Sequence, residues 1–80
     1  MHREQHAYAR TPVAVDVTSV RVRMGMTQEQ FAARFGFPVA TLRHWERRDR
    51  KPRGAARVLL AIIDREPRAV VRALQRELQR

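Results

Sequence analysis

The sequence predicts an all-α domain of five short helices, and three observations carry that reading. Apolar residues recur at i, i+3, i+4 and i+7 spacing in successive segments between Val17 and Leu78. Each segment is bounded by residues that start or stop helices, with Gly25 and Gly36 at ends and Pro12, Pro38, Gly54 and Pro67 at starts. Only residues 13–17, Val-Ala-Val-Asp-Val, alternate in the strand manner, so a short strand competes with helix there alone.

The first ten residues are polar, lack periodicity and carry two His and two Arg. Residues 1–12 are expected to be a flexible arm, and residues 13–80 the folded domain. The first helix is expected over residues 13–24, because Val13, Val17, Val20 and Met24 share a face. It is firmest from Asp16 onward, where Asp16 or Thr18 can cap it. Gly25 ends it in the left-handed geometry that glycine tolerates.

Thr27 and Gln30 have the spacing of a capping box and open a helix over residues 28–35 with Phe31, Ala32 and Phe35 on one face. Gly36 closes it. Pro38 leads into the next helix, where Leu42 and Trp45 face inward and Val39, Ala40, Arg43 and His44 do not. Residues 47–52 break the pattern as a basic loop. Residues 54–64 resume helix with Ala55, Leu59, Ile62 and Ile63 inward. A last helix opens at Pro67 and presents Val70, Val71, Leu74 and Leu78.

Composition narrows the function. Seventeen Lys+Arg face eight Asp+Glu, for a formal charge of +9, and sixteen of those cations are Arg. Arginine forks onto phosphates and guanine edges, so the partner expected is nucleic acid before a membrane surface. The chain has no Cys, which excludes disulfide and thiolate chemistry and is compatible with a cytoplasmic location. The longest apolar run, Val58–Ile63, is far short of the ~20 residues of a membrane span, and residues 1–11 lack the apolar stretch of a secretory signal.

No enzyme is expected. There is one Ser, no glycine-rich phosphate loop and no carboxylate pair in an apolar setting, so a site would have to be built from His44, Glu46 and Asp49. His2 and His6 have metal-pair spacing but no further ligands beside them, and neither a metal nor any other cofactor is expected.

The helices on either side of Gly36 form a helix-turn-helix. Small Ala32 on the first lets the two cross closely, while Leu42 and Trp45 tie the second to the core. The outer face of the second is then free for a major groove, where base edges differ in their donors and acceptors. The run of residues 43–57 adds seven cations against two acids beside that face, which suits phosphate. Glu46 would repel phosphate, and an internal ion pair with an Arg is expected for it.

These residues resemble a known family. Gly25-Met26-Thr27-Gln28-Glu29-Gln30-Phe31-Ala32, then Phe35-Gly36, Leu42 and Trp45-Glu46, look like the Xre (Cro/cI-like) helix-turn-helix family, over about residues 17–60. Lys51-Pro52-x-Gly54-Ala55-Ala56, Leu59-Leu60 and Glu66-Pro67 are similar to its HigA-type antitoxin branch. The resemblance implies a lambda-repressor-like fold. It places Gln28 on the DNA backbone, with Thr27 capping the same helix. Val39, Ala40 and Arg43 take base-reading positions, and Thr41 and His44 positions that touch phosphate or an adjacent base. Arg47, Arg48, Arg50 and Lys51 of the basic stretch are expected on phosphates. Pro38 stands where many members have a Ser or Thr cap, Val39 and Ala40 where many have polar readers, and Arg48 where many have a turn Gly.

The function expected is a sequence-specific repressor binding double-stranded DNA at an inverted-repeat operator. The resemblance further implies an antitoxin that neutralises a RelE/HigB-like toxin and represses its own operon, with residues 1–11 a candidate toxin-binding segment. The alternatives are a stand-alone phage-type regulator, or a protein-interaction module with little specific DNA binding. A homodimer is expected because so small a core leaves the last helix little inner surface. Val70, Val71, Leu74 and Leu78 would then face a second subunit, although they can also fold back on the core.

Overall fold

The computed structural model describes residues 15–78, with side chains to residue 75. Five helices follow one another: α1 (Val17–Arg23), α2 (Gln28–Phe35), α3 (Val39–Arg47), α4 (Ala55–Arg65) and α5 (Pro67–Leu78). There is no strand among the described residues, and the fold is all-α as the periodicity predicts. The expected arm and the His2/His6 pair lie outside the described residues.

Local sequence explains most boundaries. Asp16 caps α1 by accepting from the Ser19 backbone N–H at 3.2 Å, so the helix starts at Val17 and not at Val13. An Asp prefers that cap to a place inside the first turn, and Asp16 is extended ahead of the helix. α1 closes in a Schellman motif. Gly25 sits at φ +70, its N–H donates to the Val22 carbonyl at 2.9 Å, and the Met26 N–H donates to the Arg21 carbonyl at 3.3 Å.

The capping box of α2 forms as its spacing predicts. Gln30 N–H donates to Thr27 Oγ1 at 3.0 Å, and Thr27 N–H donates to Gln30 Oε1 at 2.9 Å. At the other end Gly36, at φ +80, and Phe37 both donate to the Ala32 carbonyl at 2.9 Å. Pro38 leads α3 without any side-chain cap, as expected from its missing hydroxyl.

The core gathers Val17 and Val20 of α1, Phe31, Ala32 and Phe35 of α2, Leu42 of α3, and Leu60 and Ile63 of α4. Phe31 and Phe35 meet edge-to-face at 4.8 Å, and Phe37 meets Trp45 in the same manner at 5.0 Å. Trp45 is half-buried against this core.

Two expectations about α4 need correcting. Leu60 and Ile63 are its buried pair, whereas Ile62 is 46% exposed and Ala55 is exposed. Within the run Val58–Ile63 every position is apolar, so periodicity alone does not fix which stripe turns inward; packing against α1 and α5 does. α5 starts at Pro67 as expected, but its Val70 and Leu74 pack against this chain's own core. That face, expected to serve a second subunit, is therefore already partly covered. Val71 is half-buried, and the side chain of Leu78 lies outside the described set.

Candidate nucleic-acid interface

α2 and α3 pack closely, with the small Ala32 of α2 buried in the core. Leu42, with no exposed surface, fixes the roll of α3. That roll decides which residues face outward. Ala40, Arg43, His44 and Arg47 stand at i, i+3, i+4 and i+7, with Ala40 and Arg47 exposed and Arg43 and His44 half-buried. Thr41 flanks them, half-buried. Val39, expected as a reader, lies three residues before Leu42, is half-buried and packs against the core.

A polar network clamps this pair of helices to α1. Arg21 grips Glu46 with two bonds, Nε to Oε2 at 2.7 Å and Nη2 to Oε1 at 2.9 Å. Its third nitrogen, Nη1, donates to the Met26 carbonyl at 3.0 Å. Gln28 Nε2 also donates to Glu46 Oε1, at 3.1 Å, and Gln28 Oε1 accepts from Arg43 Nε at 3.1 Å. Arg43 Nη2 reaches the Glu29 carboxylate at 2.9 Å. Glu46 is thus an internal ion-pair partner, as its sign predicts. The Arg21 bonds hold its carboxyl below the ordinary carboxylate range, outweighing the desolvation that pushes the other way.

Sequence reasoning missed Arg21 and Glu29. Arg21 carried a signal: it follows Val17 by four residues, on the flank of the buried stripe, where a cation needs an internal acid. Glu29 carried none, since its pairing with Arg43 depends on the angle between α2 and α3. Gln28 and Arg43, both expected to face DNA, are hydrogen-bonded to protein on this surface.

Beyond α3 the chain turns through Arg48, which sits at φ +65. Its N–H donates to the Trp45 carbonyl at 3.1 Å and the Asp49 N–H to the His44 carbonyl at 3.2 Å. This is the motif that Gly25 makes after α1, here built on an arginine. Asp49 is shared by His44 Nδ1 at 3.2 Å and Arg47 Nε at 3.3 Å. Desolvation pushes the Asp49 carboxyl up, but those bonds and the nearby charges outweigh it and hold it low. Arg48 lies 3.8 Å from Asp16. Arg50, Lys51 and Arg53 are exposed, and none has a carboxylate within 4.0 Å among the described residues.

The loop therefore carries exposed cations directly after α3 in the chain, with Arg50 and Lys51 near Asp16, Trp45 and Glu46. No cluster of three metal-ligating side chains occurs among the described residues, and no helix there is long and apolar enough to cross a membrane.

Fold and surface together define a helix-turn-helix domain with a basic flank. A family model described as helix-turn-helix matches residues 18–61, more than half of the chain, and the chain belongs to that family. No curated protein and no solved structure matches it.

Proposed function

We propose that the protein is a sequence-specific DNA-binding repressor. The observation that supports this most is the pairing of two features: the outward stripe of α3, and the loop directly after it, whose Arg50, Lys51 and Arg53 have no carboxylate within 4.0 Å among the described residues. In this reading α3 enters the major groove. Arg43 reads a guanine edge, Ala40 contacts a thymine methyl, and Thr41 and His44 touch phosphate or a neighbouring base. Thr27 and Gln28 at the start of α2, with Arg47, Arg48, Arg50 and Lys51, hold the phosphates and fix the register. Two copies related by a two-fold axis read an inverted repeat with half-sites about 34 Å apart or a multiple of it.

The resemblance of Lys51-Pro52-x-Gly54-Ala55-Ala56 and the segments after it to HigA-type antitoxins supports a finer reading. The repressor would then neutralise a RelE/HigB-like toxin and repress the operon encoding both. Finding a small toxin-like reading frame beside this one would support that context, and finding a lone phage-type regulatory neighbourhood would oppose it.

Titration of labelled DNA tests the main proposal. The protein should prefer the DNA upstream of its own reading frame to random duplex of equal length. Arg43→Ala should relax preference at one base pair, worth about 1–3 kcal/mol, whereas Arg50→Ala should weaken all sequences alike. Equal and weak binding to every duplex defeats the proposal and leaves a protein-interaction module.

A further inference from the structure

On the flank of α2 remote from α3 lies a groove that DNA recognition does not use. Gln28 and Ala32 face α3, whereas Gln30 and Arg34 fall on the opposite flank of the same helix. There residues of α1, α2, α4 and α5 line an open hollow of about 540 Å³. Its floor is apolar: Val20, Met24, Met26, Ile63 and Val71. The hollow continues past Met24 and Met26 into a second one that ends at Leu74, so the whole is elongated along α5.

The rim is strongly cationic. Arg34, Arg68 and Arg72 are exposed at its edge, and none has a carboxylate within 4.0 Å among the described residues. The one acid on the lining, Asp64, is already joined to Arg23.

We propose that this groove docks an acidic amphipathic helix of a partner protein. Three features carry the choice. An elongated apolar trough suits residues at i, i+3, i+4 and i+7 of a helix better than a compact small molecule. The two methionines of the floor are unbranched and adapt to the shape of an inserted side chain. Three edge arginines without a carboxylate within 4.0 Å among the described residues favour an acidic cover for the floor, and a second copy of this chain, itself +9, supplies few acids. Because α2 separates the groove from the outer stripe of α3, the partner and DNA bind together.

A stapled helical peptide of about four turns tests this on the full chain, since an unstapled helix of that length is marginal in water. The probe carries Leu at i, i+3, i+4 and i+7 with Glu on both flanks. One control scrambles the Leu positions and another replaces Glu by Lys.

Fluorescence anisotropy should show binding by the probe alone, and methyl NMR should place the shifts at Met24, Met26 and Val71. The exposed double substitution Arg68→Glu with Arg72→Glu should weaken the probe at least tenfold and leave the helical circular-dichroism signal and DNA affinity unchanged. Saturating duplex DNA should not displace the probe.

Three results overturn the proposal. One is displacement by DNA, or shifts confined to α3, which would make the probe a mere polyanion on the basic loop. Another is equal binding by the scrambled peptide or by the double variant. The third is a dimer, seen by sedimentation, that Val71→Asp dissociates and the probe fails to enter; the groove would then belong to a second copy.

Discussion

Arg48 is the described non-glycine residue with positive φ, and its conformation is imposed by the carbonyls it must satisfy. The turn after α3 needs a left-handed residue to bring two N–H groups back onto His44 and Trp45. A side chain there costs about 1–2 kcal/mol in backbone strain, while glycine gives back about 0.5–1 kcal/mol through its greater loss of freedom on folding. Arg48→Gly should therefore be as stable as the parent or up to about 1 kcal/mol more stable in urea titration. Arg48→Val, β-branched at the same φ, should be about 1–2 kcal/mol less stable than the glycine variant. Equal midpoints for glycine and valine would show that the left-handed turn is not held in solution. DNA affinity should move against stability: the glycine variant loses a cation that is 80% exposed and whose one carboxylate contact among the described residues is to Asp16 at 3.8 Å. On the proposed reading, an arginine at this left-handed position presents charge to a phosphate, at a cost the turn can absorb.

Glu46 does for the elements what Arg48 does for a turn: it ties α1, α2 and α3 together through Arg21 and Gln28. Its folded pKa lies below the ordinary value of 4.5, so the unfolded chain binds the proton more readily. The stability it contributes is fully present above that unfolded value and is lost as pH falls through the folded one. Asp16 and Asp49 are lowered too and bend the curve in the same direction, so the parent protein alone does not isolate the clamp. The difference between the parent and Glu46→Gln does. The variant should lose about 2–3 kcal/mol at pH 7, because Arg21, only 16% exposed, keeps its charge without a carboxylate. That gap should begin to narrow as pH falls below the ordinary value of 4.5 and close only once pH has passed below the lowered folded value, and a gap independent of pH would remove the ion pair from the explanation.

How far sequence reached follows the same boundary. The caps at Asp16 and Thr27, the stop at Gly36 and the buried Leu42 were legible because each depends on neighbours within four residues. The partner of Glu46 and the tether of Arg43 were not, because they depend on interhelical angles. The inward stripe of α4 was not either, because an unbroken apolar run carries no phase.

At the scale of the molecule the question is how many chains share one DNA site, and the charge distribution makes it measurable. The exposed cations without acidic neighbours in the α3–α4 loop are Arg50, Lys51 and Arg53, and Arg50 and Lys51 are the pair assigned to phosphates. Each phosphate contact releases condensed counterions, so log affinity falls with log salt by about 0.9 per contact. Removing both cations with Arg50→Ala and Lys51→Ala should flatten that slope by roughly 2 if one chain occupies the site. It should flatten by roughly 4 if two chains sit on an inverted repeat, since the lesion is then duplicated. The core argument favours two, although α5 folds Val70 and Leu74 onto its own chain. A change of about 4 on the inverted repeat, falling to about 2 on an isolated half-site, establishes the symmetric dimer on DNA. A change of about 2 on both makes the protein a monomeric reader, and no change on either places the loop away from the phosphates and removes the basic flank from the recognition surface.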